Sequence, residues 1–205
     1  MHKALIFWGA GVAALTTALV KHQSTPGLGG VSPRQWPDET FIHRHADRHT
    51  LLMFAHPRCP CTRASISELS RFMTHGLGRL DVSVLFVESE RDHADGEDSD
   101  NLRDAAAIPA IQVVHDVNGL NALRFGVRTS GQVLLYDPSG VLVFEGGITP
   151  SRGHEGDSAG ASAIVAIMKG DTPRQSSTPV FGCPLFDGSL AEPAHTTSEG
   201  RRNES

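Results

Sequence analysis

The chain has 205 residues, of which 39% are apolar and 20% charged, and its formal net charge is −5. That is enough for one ordinary domain with appendages, and it allows a globular core without a surplus of apolar residues. An acidic balance with no long basic stripe argues against nucleic acid as a partner.

Met1-His2-Lys3 is followed by Ala4 to Val20, seventeen residues without a charge, and then Lys21. As a helix that stretch is about 25 Å long, near the lower limit for crossing a bilayer. Its apolar residues run all round instead of along one stripe, so a membrane helix is expected over residues 1–21. A secretory signal is the alternative, but Val20-Lys21-His22 offers no small residues for cleavage. Lys3 on the short side favours a cytoplasmic N-terminus and a bacterial inner-membrane protein whose bulk faces the periplasmic, extracytoplasmic side. Residues 22–46 are rich in Gly, Pro and Ser, and are expected to form a linker holding the domain off the membrane. His43, His45 and His49 at its end read as scattered surface histidines.

Residues 47–187 are expected to form one domain. Thr50 to Ala55 ends in the apolar run Leu51-Leu52-Met53-Phe54 and reads as a buried strand. Ala64 to His75 carries Ile66, Leu69, Phe72 and Met73 at helical spacing. Between them lies His56-Pro57-Arg58-Cys59-Pro60-Cys61-Thr62-Arg63, so a cysteine pair sits where a strand turns into a helix. Free N–H groups and the positive end of the helix dipole favour a thiolate there, and the thiolate is the form that attacks disulfides and binds metals.

Gly76 and Gly78 are expected to stop the helix. Val82 to Val87 reads as a strand covered on both faces. Glu88 to Asp100 carries seven acidic residues whose spacing does not match a calcium loop, so a solvated loop is expected. Leu102 to Ala107 reads as a short helix, Ala110 to His115 as a strand, Asn118-Gly119 as a turn, and Leu120 to Phe125 as another short helix. Gln132 to Tyr136 and Val141 to Glu145 read as a hairpin around Asp137-Pro138-Ser139-Gly140. Asp157 or Ser158 can cap a last helix ended by Gly170. Thr178 to Phe186, which contains Cys183, is apolar enough to pack somewhere, and residues 188–205 are expected to be disordered.

This order of elements, with the cysteine pair after the first strand, resembles the membrane-anchored thioredoxin-like proteins, including the insertion before the final hairpin found in the TlpA and ResA branch. His56 to Ser65, with Thr129-Ser130-Gly131-Gln132 and Ser151 to Asp157, is similar to a group of bacterial proteins labelled RedB. The resemblance covers about Leu51 to Leu185. It implies an α/β, three-layer sandwich with a central mixed sheet, placed after the N-terminal membrane helix. It also implies protein thiols or disulfides as partners, with Thr62, Arg63, Ser130 and Gly131 as candidate substrate-binding residues. Two departures stand out. Cys59 and Cys61 have one intervening residue where the usual pair has two, so Thr62 occupies the second cysteine's place. Gly131 falls where such folds carry a cis-proline.

Three chemistries fit these residues. In thiol–disulfide exchange, Cys59 beside Arg58 is the attacking thiolate, Cys61 or Cys183 resolves the mixed disulfide, and His56 can move a proton; no cofactor is needed. A disulfide across one intervening residue closes a small ring and is expected to be strained and oxidising. In metal binding, copper or zinc is held by Cys59 and Cys61 with His56, His154 or Cys183. The third reading is a non-catalytic binding module stapled by a permanent disulfide.

Overall fold

The computed structural model describes residues 2–38, 40–74, 80–89 and 99–186. The run after Arg48 becomes strand β1 (His49–Ala55), and the next chain segments form helix α2 (Pro60–Thr74) and strand β2 (Leu80–Glu88). Helix α3 (Asp100–Ala106), strand β3 (Ile111–Val117), helix α4 (Leu120–Arg124), strands β4 (Gln132–Tyr136) and β5 (Leu142–Gly147), and helix α5 (Ala159–Lys169) follow, while α1 (His2–Ser24) precedes them all.

The five strands form one mixed sheet in the order β3-β2-β1-β4-β5. β1, β2 and β3 are parallel, and β4 runs antiparallel to both β1 and β5. Because successive strand residues point to opposite faces, the apolar run of β1 supplies two cores at once. Leu51, Met53 and Ala55 join Ile66, Leu69 and Phe72 of α2 and Ile164 of α5. Leu52 and Phe54 join Phe125, Tyr136, Ile42 and Leu185 on the other face. β1 lies at the centre of the sheet, so the loop that leaves it emerges over the middle of the sheet's edge.

α2 starts four residues before the expected Ala64. Pro60 takes the first helical position, where its missing N–H costs nothing, and this brings Cys61 into the helix. The caps of the later helices follow from short side chains. Ser99 accepts from the N–H of Leu102, and Ser158 from that of Ala161. Asn118 and Gly119 turn left-handed at φ 58° and 64°. The hairpin turn is held by Asp137, whose Oδ1 accepts from the N–H groups of Ser139 and Val141.

The segment expected as a spacer lies on the domain for much of its length. The Trp36 N–H donates to the Gly140 carbonyl at 2.8 Å, the Leu142 N–H to Arg34, and the Tyr136 hydroxyl to Pro33 at 2.9 Å. Trp36 also packs edge-on against Phe125 and Tyr136. The reason is coverage: α4 has only five residues, and the second face of a sheet this apolar needs more.

α1 carries exposed Phe7, Trp8, Leu15, Leu19 and Val20. Among the described residues, however, no helix is long and apolar enough to cross a membrane, so the expected membrane helix finds no support there. The side chains of residues 1–6, the glycine stop at 76 and 78, most of the acidic loop (90–98) and the tail from 187 lie outside the described residues.

Candidate thiol site

The loop between β1 and α2 is pinned before any sulfur is considered. The His56 N–H donates to Ser130 Oγ at 2.9 Å, and the Cys59 N–H to the His56 carbonyl at 3.2 Å. Asn101 Nδ2, from the first turn of α3, donates to the carbonyls of Pro57 and Cys59 at 2.9 and 3.0 Å. A buried side-chain amide that satisfies two loop carbonyls leaves the loop little freedom.

Cys59 then stands where a helix cap stands, immediately before Pro60. Burial pushes its thiol up, but hydrogen bonds from the side chain and N–H of Cys183 and from the N–H and hydroxyl of Thr62 outweigh that and hold it below the ordinary thiol range. Thr62 thus serves Cys59 from the position of the usual second cysteine. Cys59 is only 2% exposed, while Cys61 and Cys183 are half-buried.

Cys183 arrives from a segment that the sequence left unplaced. The Sγ atoms of Cys59, Cys61 and Cys183 all lie within 4.8 Å of one another, and none is bridged. Burial and the neighbouring Cys59 push the Cys61 thiol up. Burial and the bond to Cys59 push that of Cys183 up to about 12. The guanidinium of Arg152 opposes both shifts. The cluster thus holds one sulfur disposed to ionise and two disposed to keep their protons. It is also a soft donor set for a metal ion, though neither His56 nor His154 contributes an atom to it.

The other candidates take supporting places. Thr62 is fully buried, its hydroxyl 2.7 Å from Ser130 Oγ, so both hydroxyls belong to the framework. Gly131 has φ +86°, and its N–H donates to the Phe54 carbonyl at 2.7 Å. Proline has no N–H to give there, which accounts for the departure. Arg63 is exposed and faces Asp100 at 3.8 Å across an open cleft of about 340 Å³ beside Cys59. The His56 Nδ1 accepts from the Arg58 N–H, and His154 Nδ1 lies 2.7 Å from the Arg152 carbonyl oxygen.

Sequence reasoning missed Asn101, Arg152 and Glu68. Arg152 donates to the carbonyls of Gly182 and Thr25 at 2.5 and 3.1 Å while facing the sulfurs. Its one signal was its place as a cation within Ser151 to Asp157. Asn101 and Glu68 gave none, since Asn101 fell between the expected acidic loop and the helix expected from Leu102, and Glu68 looked like an ordinary helix residue.

No family model matches the chain, and no curated protein matches it. Solved structures do. A hypothetical protein from Sinorhizobium meliloti superposes with a TM-score of 0.62 at 18% identity, covering 79% of this chain and 97% of that one. An uncharacterized conserved protein from Geobacillus kaustophilus gives 0.58 at 17%, covering 78% and 96%. A secreted disulfide oxidoreductase from Mycobacterium tuberculosis gives 0.42 at 11%, covering 62% and 83%. The fold is α/β, with a central mixed five-stranded sheet and a cysteine pair after its central strand.

Proposed function

We propose that the chain is a thiol–disulfide oxidoreductase of the RedB type, acting on protein thiols or disulfides with Cys59 as nucleophile. The observation that carries this reading is the three-sulfur cluster in which Cys59 alone is drawn toward the thiolate. The Cys59 thiolate attacks one sulfur of a partner disulfide. A Cys59–partner bond forms, the partner's own S–S bond breaks, and the leaving thiolate takes a proton. Cys61 or Cys183, after losing its proton, then attacks Cys59 Sγ and releases the second partner thiol. Two electrons pass from the protein's thiols to the partner, and an external dithiol of the same chemical class restores them.

The exposed apolar side chains of α1 support attachment at a membrane surface, and the extracytoplasmic placement of the domain rests on the charge of Lys3 ahead of them. Equilibration of the purified protein with glutathione couples, read by mass spectrometry after alkylation, tests the redox reading. A two-electron couple that vanishes in Cys59→Ser is expected. Finding neither a reducible Cys59 disulfide nor a reactive thiol in the wild type sinks it.

A second reading, copper or zinc held by the sulfurs, is favoured by the same 4.8 Å donor set. It requires stoichiometric metal in the reduced protein, lost on Cys61→Ser.

A further inference from the structure

The segment that delivers Cys183 is bound to the domain as a separate peptide strand would be. From Ser176 onward it leaves the last loop as an extended strap. Glu145 N–H donates to the Ser176 carbonyl, and Thr178 N–H returns to Glu145. Gly27 N–H donates to Val180 at 2.8 Å, and Arg152 to Gly182. The strap then meets residues 128–130 in antiparallel pairing, with a bridge between Thr129 and Pro184. Ser130 N–H donates to the Cys183 carbonyl, and Leu185 N–H to the Arg128 carbonyl, both at 2.9 Å. Leu185 is 3% exposed in the second core, with Phe186 against it. Gly182 leaves no room for a side chain, because a Cβ there would overlap the Ser130 carbonyl oxygen.

Main-chain pairing of this kind is indifferent to sequence, while the side-chain pockets beside it choose. The seat therefore selects an extended segment with a small residue before a cysteine and an apolar residue two positions after it. Whatever fills the seat also lies against Cys59, since the Cys183 Sγ is within 4.8 Å of the Cys59 Sγ and Cys59 is 2% exposed with the strap in place. We infer that residues 176–186 are a resident peptide guarding Cys59, displaced by a cysteine-bearing extended segment of a partner protein that takes the same pairing with Arg128 and Ser130. The inference rests on the redox reading for what happens after docking, but the docking itself does not need sulfur chemistry.

The strap can be unseated without substituting any cysteine. Gly182→Ala puts a methyl group against the Ser130 carbonyl, and Leu185→Ala removes the apolar anchor; circular dichroism checks that each variant folds. The probe is a synthetic peptide of residues 180–186 with serine for cysteine, its binding read by fluorescence anisotropy. Because a seat freed more of the time raises apparent affinity in proportion, both variants should bind it at least about tenfold more tightly than the wild type. A peptide with aspartate at its leucine should not bind. Equal affinity for wild type and both variants, or binding of the aspartate peptide, overturns the inference. In a second measurement the cysteine peptide, activated as a mixed disulfide with thionitrobenzoate, should react with Cys59 faster in Gly182→Ala than in wild type. The gain should exceed that seen with a small aromatic disulfide; an equal gain for both reagents makes the strap a mere lid and also overturns it. Tight docking with no exchange in any variant leaves the seat standing and removes the redox reading instead.

Discussion

Glu68, buried within α2, accepts the N–H of Gly156 at 2.6 Å and so ties the loop that carries Arg152 to the helix that carries Cys61. Arg71 completes the tie, bonding Glu68 at 3.0 Å and Glu155 at 3.4 Å. The position of the cation at the sulfurs is thus decided two helical turns away from them. Glu68→Ala strands a loop N–H and should cost about 1–3 kcal/mol in urea unfolding. Amide exchange at Gly156 should accelerate in the same variant.

Thr62 lowers Cys59 through both its N–H and its hydroxyl. Site-resolved alkylation of Cys59 against pH should therefore show a midpoint below that of an ordinary thiol, with Cys183 hardly reacting in the same range. Thr62→Val keeps the N–H and removes the hydroxyl. The Cys59 midpoint should move up.

Cys183 makes stability fall in alkali. Its thiol is held at about 12 in the folded protein, above its value in an unfolded chain. Between the ordinary thiol value and about 12 the unfolded chain has lost that proton and the folded one retains it, so stability drops as pH rises. Urea midpoints should decline across that window, and Cys183→Ser should flatten the decline. Removing the opposing cation with Arg152→Gln should extend it to higher pH.

Gly131→Pro tests why the usual proline is missing. The substitution loses the bond to Phe54 and forces φ from +86° to the proline value. A loss of at least about 2 kcal/mol is expected in chemical denaturation. Gly131→Ala should also destabilise, since its Cβ would lie 2.9 Å from Ser65 Oγ.

Much of the framework was legible locally. The β4–β5 hairpin was readable because Asp137-Pro138-Ser139-Gly140 encodes its own turn, and β4 spans Gln132–Tyr136 as expected. Ser158 and Gly170 bracket α5 for similarly local reasons. The start of α2 was misplaced because apolar periodicity begins at Ile66, whereas the helix is started by Pro60 and by a cysteine in the cap position. The spacer around Trp36 was misjudged because a Gly- and Pro-rich composition reports backbone freedom and is blind to a distant face that needs covering.

By itself the sequence determined that two cysteines sit where a buried strand becomes a helix, since that depends only on residue order and the free amides of a helix's first turn. Only the tertiary structure decided the third sulfur, the cation and the cover. Cys183 reaches Cys59 through pairing of residues 183–185 with residues 128–130, Arg152 through a buried carboxylate on α2, and closure through a glycine that lets two backbones touch. Each of these is a contact between segments far apart in the chain, and local pattern carries no information about such distances.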